Sequence, residues 1–229
     1  MKILGIEKVS FVDYEGKMCA TIFTGGCNYR CPFCHNGGIV LDKYKEISED
    51  DILEYLRSRK GLLDAVTISG GEPTLQPDLK QFIIKVKKLG FLVKLDTNGT
   101  NPAVLIDLVN NNLLDYVAID IKTNFEDYNR VAGVSNALQN NVQRSINYLK
   151  QSNINYELRT TLVNEFHTTE SITKMADELA GQKRLYLQKF KASPDCINSA
   201  GLSEVPKQIA KEYADILKRT IPMVELRGY

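Results

Sequence analysis

No stretch of this 229-residue chain approaches the ~20 consecutive apolar residues of a membrane span. Its opening, Met1-Lys2-Ile3-Leu4-Gly5-Ile6-Glu7, places an acidic side chain where a secretion signal needs an apolar run. A cytoplasmic protein without a membrane partner is expected. Excess charge of one sign is also lacking. Lys and Arg number 29 against 28 Asp and Glu, a net +1, so no overall field advertises a nucleic-acid partner. No composition shift or Ser/Pro-rich linker divides the chain, and one domain over residues 1–229 is expected. No G-x-G-x-x-G follows the first strand-like run, which argues against a dinucleotide-binding fold. The five cysteines are an odd count for a disulfide framework, and in a reducing compartment clustered cysteines are more often metal ligands.

What is present is an alternation of two periodicities. Residues 3–9 and 18–24 are β-like, with Asp13-Tyr14-Glu15-Gly16-Lys17 as the turn between them. Further β-like runs lie at 65–69, 91–95, 116–121, 156–163 and 184–190, with a short one at 224–226. Helical patterns fall between them. One at 48–60 is opened by Ser48, with Asp51 three residues on as a variant capping box. Others are at 77–88, at 102–110 behind Pro102, at 135–150 with Ser135 as cap, at 168–180 and at 204–219. Six strand-then-helix units in a row imply parallel strands. The fold is therefore α/β, either an open doubly wound sheet or a barrel short of eight units. In both, ligands gather at the carboxyl ends of the strands.

The strands themselves read as apolar, while their carboxyl ends are polar or glycine. After 18–24 come Cys27, Cys31 and Cys34, spaced C-x3-C-x2-C. Thiolates this close can converge on one metal centre, and three are an incomplete ligand set for a four-iron cluster. Later strand ends bring Gly70-Gly71-Glu72-Pro73, Asp96-Thr97-Asn98-Gly99, Asp120-Ile121-Lys122, Arg159 and Gln188. Singly, each has a plainer reading. The glycine pair suits a turn before a helix, and Asn98-Gly99 is a strong turn dipeptide. Asp120 and Lys122 suit a solvated strand end, and Arg159 a structural ion pair. The three cysteines with His35 also suit a structural zinc site, although adjacent Cys34 and His35 tend to diverge. Cys19 reads as a buried strand residue and His167 as a surface residue; Cys196 suggests no role, and the segment 191–203 reads as a lid or a partner-contact loop.

Together, the cysteine loop and the Gly70-Gly71-Glu72-Pro73 run one unit later resemble the radical S-adenosylmethionine (SAM) superfamily, over nearly the whole chain. The narrower resemblance is to activating enzymes of glycyl-radical enzymes, those of anaerobic ribonucleoside-triphosphate reductase in particular. It is carried by Ser10-Phe11-Val12-Asp13-Tyr14-Glu15-Gly16-Lys17, by residues 25–36, by Asp96-Thr97-Asn98-Gly99 and by Asp120-Ile121-Lys122. That family usually has proline where this chain has Glu15, a difference at a turn.

The resemblance implies a partial (β/α)6 TIM-like barrel with a [4Fe–4S] cluster on Cys27, Cys31 and Cys34. SAM would bind the open iron through its amino and carboxylate groups. Phe33 would flank the adenine, and the Gly70 and Gly71 main chain would approach the SAM amino group, with Glu72 orienting that loop. Asp96 or Asn98 would accept from the same ammonium. Lys122 would neutralise the carboxylate, Asp120 would bind a ribose hydroxyl and Gln188 a second, and Arg159 completes the cofactor-binding set. The implied chemistry is reductive cleavage of SAM and abstraction of hydrogen from a glycine of a partner enzyme. Cluster and SAM carry it, so no acid/base residue is expected. Reduced flavodoxin or ferredoxin is the expected electron donor, and no ferredoxin-like block of four cysteines points to a second cluster. One rival is a radical SAM enzyme acting on a small molecule, such as the 7-deazaguanine synthases. Those more often carry Asp-Thr where this chain has His35-Asn36. The other rival is a non-catalytic metal-binding scaffold.

Overall fold

Successive side chains of a strand point to opposite faces of a sheet, and here the two faces keep different company. The computed structural model describes residues 1–229 and holds eight strands in one sheet, ordered as in the chain. They are β1 (Ile3–Ser10), β2 (Cys19–Thr24), β3 (Ala65–Gly70), β4 (Leu92–Thr97), β5 (Tyr116–Asp120), β6 (Asn155–Leu162), β7 (Arg184–Lys189) and β8 (Met223–Arg227). β1 runs antiparallel to β2, and every later neighbour is parallel. β1 and β8 do not pair, so the partial barrel stays open on one side.

Parallel neighbours need crossovers, and helices supply them. These are α1 (Gly37–Val40) and α2 (Glu49–Ser58), α3 (Leu79–Lys88), α4 (Pro102–Asn110), α5 (Tyr128–Ala132) and α6 (Gln139–Gln151), α7 (Thr169–Glu178), and α8 (Lys207–Leu217). Each longer helix buries one stripe. In α3 it is Leu79, Phe82, Ile83 and Val86, the i, i+3, i+4, i+7 pattern of a helix lying on a sheet. That stripe joins Val66, Ile68, Val93, Leu95, Val117 and Ile119 in one continuous core. Full burial of such a side chain stabilises by roughly 1.5–3 kcal/mol.

The other sheet face carries buried polar and charged side chains beside a small apolar cluster of Tyr14, Cys19, Ala65 and Tyr116, which corrects the expectation of apolar strands. Thr67, Lys94 and Glu157 are buried there on alternate positions. Lys94 Nζ lies 3.3 Å from Asp96 Oδ1 and 3.7 Å from Glu157 Oε1, and Arg227 Nη2 lies 3.1 Å from Glu157 Oε2. Buried ions persist because they are paired; removing one partner is what costs most.

Several element boundaries differ from expectation. Helix α6 begins at Gln139 rather than Ser135, and Ser135 instead gives its carbonyl to Asn129 Nδ2 at 3.0 Å. Helix α3 starts at Leu79, two residues beyond Pro77, and α1 and α5 are too short to leave a periodic signal. Ser48 does cap α2, its Oγ accepting from Asp51 N at 3.1 Å. Ser48→Ala is expected to lower unfolding stability by about 1 kcal/mol. A denaturant titration reads this directly, and an unchanged midpoint would show that the cap contributes nothing.

Candidate active site

The loop after β2 carries the cysteines, and its shape is set by main-chain and side-chain bonds to its neighbours. Cys34 N donates to Cys31 O at 3.1 Å, Tyr29 N to Cys27 Sγ at 3.3 Å and Arg30 N to Ala132 O at 2.9 Å. Tyr29 Oη reaches Ala137 O at 2.6 Å, and Asn36 Nδ2 donates to Gly70 O at 2.9 Å. The result presents all three thiols to a cavity of 410 Å³ at the carboxyl ends of the strands. Such a volume falls within the usual range of small-ligand sites.

Nearly all the expected residues meet there. Phe33, Gly70, Gly71, Asp96, Asn98, Asp120, Lys122, Arg159 and Gln188 line the same cavity as Cys27, Cys31 and Cys34. Glu72, which the resemblance implies orients the Gly70-Gly71 loop, does not line that cavity. It is fully buried beneath the rim. Its Oε1 accepts from Thr74 N at 3.0 Å and from the Thr74 and Thr97 hydroxyls at 2.6 Å each, and its Oε2 accepts from Asn98 N at 2.7 Å. Its own amide donates to Gly26 O at 2.8 Å. The adjoining glycines are forced. Gly70 has φ +111°, and a Cβ on Gly71 would land on the carbonyl oxygen of Gly26.

Beyond them runs a chain of alternating charge. Arg159 Nη1 lies 3.0 Å from Asp96 Oδ2, Arg159 Nε 2.8 Å from Asp120 Oδ1, and Lys122 Nζ 3.5 Å from Asp120 Oδ2. Arg159 is thus both a structural ion pair and part of the cavity wall. Burial acts to raise the Asp120 pKa, but Arg159 and Lys122 outweigh it and hold the carboxyl down at about 2. Burial acts against the Lys122 charge, and Asp120 outweighs that in turn, so the ammonium persists.

The donor set fits an iron–sulfur cluster better than zinc. His35 lines the same cavity, but its Nδ1 lies 3.7 Å from Cys196 Sγ and its ring 5.9 Å from that of Phe190. No three Cys, His, Asp or Glu side chains are close enough together to share a single ion. A four-iron cube spreads its terminal thiolates more widely than one tetrahedral ion does. Burial pushes the Cys27 thiol up to about 11 and that of Cys31 to about 12, so a metal must displace their protons as it binds.

Other residues fall where the chain alone did not place them. His167 is buried rather than on the surface, with Nε2 3.0 Å from Lys122 O. Segment 191–203 lies across the cysteine loop, where Gly37 N donates to Asp195 O at 3.0 Å and Asn198 N to Pro32 O at 2.9 Å. Cys19 is fully buried, as its alternation with apolar neighbours suggested. Asn28 and Asn36, each beside a Cys or His of the motif, carry site bonds that the motif alone does not assign. Asn28 Oδ1 accepts from Asn98 Nδ2 at 2.8 Å, joining the first rim loop to the third.

Residues 21–179 match the family model of the radical SAM superfamily. The chain belongs to that superfamily. A protein of Methanocaldococcus jannaschii named as a candidate glycyl-radical enzyme activating enzyme is 34% identical over 96% of each chain. A domain of pyruvate-formate lyase-activating enzyme from Bacteroides vulgatus has the same fold, with TM-score 0.59 and 18% identity over 72% of this chain and 99% of that one. Streptococcus suis SuiB bound to S-adenosylmethionine superposes with TM-score 0.66 at 16% identity, covering 89% of this chain and 48% of that one. Radical SAM enzymes use a [4Fe–4S] cluster and SAM, and the three thiols beside an open polar cavity fit both. No helix is long and apolar enough to cross a membrane.

Two substitutions test this radical SAM site. Cys31→Ala is expected to abolish iron binding after anaerobic reconstitution, whereas Cys19→Ala keeps it; full iron content in Cys31→Ala would refute the ligand set. Glu72→Gln turns an amide N–H2 against one of its donors. It is expected to cost roughly 1–3 kcal/mol in a thermal or denaturant melt, and wild-type stability would show the four bonds to be dispensable.

Proposed function

We propose that this radical SAM enzyme activates a glycyl-radical enzyme, and that the partner is anaerobic ribonucleoside-triphosphate reductase. The observation that carries the activase reading is the match to the M. jannaschii protein, which extends over 96% of each chain rather than over the shared barrel alone; the choice of partner rests on the motif resemblance. Cys27, Cys31 and Cys34 would hold the cluster, and with SAM bound it would supply one-electron reductive cleavage of SAM coupled to hydrogen abstraction from the glycine Cα.

The chain's own residues bind and orient. Lys122 offers its ammonium to the SAM carboxylate. Gly70 and Gly71 leave main-chain groups free for the SAM amino group, with Asp96 and Asn98 on the same wall. Asp120, held ionised, accepts from a ribose hydroxyl, with Gln188 offering a second contact. Phe33 flanks the adenine. Arg159 is committed to Asp96 and Asp120, and its part is to fix those carboxylates at the positions SAM requires. No side chain has to move a proton. A reduced flavodoxin or ferredoxin supplies the electron.

The shape of the open side favours a protein substrate over a small molecule. A second hollow of 440 Å³ shares Asp13, Arg159 and Gln188 with the first and is bordered by Phe11, Val12, Glu15 and Arg227. Phe11 and Val12 are 72% and 85% exposed, an apolar lip on this second hollow. A polypeptide can cover such a lip, whereas a small substrate leaves it wet.

The reconstituted protein with dithionite is expected to convert SAM to 5′-deoxyadenosine, and with the reductase added to produce a glycyl-radical doublet in the EPR spectrum. SAM cleavage with no doublet from any glycyl-radical enzyme would overturn the activase reading. A doublet with a different glycyl-radical enzyme would overturn only the choice of partner.

A further inference from the structure

His167 is one of two histidines in the chain, and it does not itself line the cavity. Its ring is only 1% exposed, in the turn between β6 and α7. The ring joins two segments. Nδ1 lies 3.0 Å from Val163 N, and Nε2 lies 3.0 Å from Lys122 O. Val163 O is also 3.0 Å from Nδ1, but that oxygen already accepts from Phe166 N at 3.1 Å and His167 N at 3.0 Å. Nδ1 is therefore the acceptor for the Val163 amide, and Nε2–H donates to the Lys122 carbonyl. Burial, with the Arg130 guanidinium nearby, favours this neutral ring.

Lys122 is held from the other side too. Its amide N donates to Tyr128 Oη at 3.2 Å, and the His167 carbonyl itself accepts from Tyr213 Oη at 2.9 Å. Both peptide groups flanking the Lys122 Cα are thus pinned by buried side chains, while the side chain between them enters the cavity. A lysine ammonium sits on a flexible four-carbon stem, so where its stem is rooted decides how much freedom it must lose on meeting a carboxylate.

We propose that His167 is the positioning residue for Lys122, holding the peptide that roots the ammonium and thereby raising affinity for the SAM carboxylate. This rests on the reading of Lys122 as the carboxylate partner.

Gln and Asn separate the two bonds of the ring. A Gln amide N–H2 reaches the place of Nε2 and can still donate to Lys122 O, whereas Asn reaches only the place of Nδ1. Equilibrium dialysis with labelled SAM on the reconstituted protein gives Kd, and the EPR spectrum of the reduced cluster with and without SAM gives an independent signature. His167→Asn is expected to raise Kd roughly tenfold, the size of one buried hydrogen bond. His167→Gln should stay within roughly threefold of wild type. Iron content should be unchanged in both. Wild-type Kd in His167→Asn overturns the proposal. So does an iron-loaded His167→Gln that binds as weakly as Lys122→Ala, a result that stands even if His167→Asn fails to fold. If Lys122→Ala itself binds SAM normally, the reading of Lys122 falls and the proposal with it. That pattern differs from the first, where Lys122→Ala is weak and His167→Asn is not.

Discussion

A carboxylate cut off from water must be given donors, and Glu72 receives four from three residues. Those donors, with the Glu72 amide bonded to Gly26 O, tie the loop after β2, the loop after β3 and the loop after β4 into one unit. The bond from Asn98 to Asn28 closes the triangle. Any arrangement that separates the loops leaves the carboxylate short of partners, at a cost of several kcal/mol. Three strand ends that could each flex alone are thereby fixed relative to one another, and the thiols, the glycines and Asn98 hold their places around one cavity.

The charges on the concave face extend the same logic across the sheet. Lys94, Asp96, Asp120, Glu157, Arg159 and Arg227 come from four strands and neutralise one another in pairs. Apolar residues of similar size would fill the space at least as stably. What the pairs supply is direction. Asp120 stays ionised and Lys122 stays protonated at the cavity wall.

Much of this was legible in the chain. All eight strands and six longer helices are visible as shifts between a period of two and one near 3.6, because each has one face on a common core. Joint placement after successive strands was enough to gather the cysteines, Gly70, Gly71, Asp96, Asn98, Asp120, Lys122, Arg159 and Gln188 at one rim. What escaped was whatever depends on partners distant in sequence. The donors to Glu72 from Thr97 and Asn98 belong to the next unit and leave no local signal. His167 sits among polar residues, as a surface histidine would, and only the Lys122 carbonyl and Val163 amide explain its burial. Lys94 and Glu157 look like interruptions in apolar strands until they are seen to face each other. Ser135 has a capping residue's chemistry, but the chain turns for three more residues before α6 begins.

Segment 191–203 adds a constraint of timing. The cysteine loop is synthesised early, yet the residues that lie across it, bonded at Gly37 and Pro32, come from beyond β7. A chain made from its amino end cannot close this cover until Asn198 has emerged, when most of the barrel strands already exist. The thiols therefore pass through a stage of synthesis in which one side of their loop is bare, and the last third of the chain determines when that stage ends.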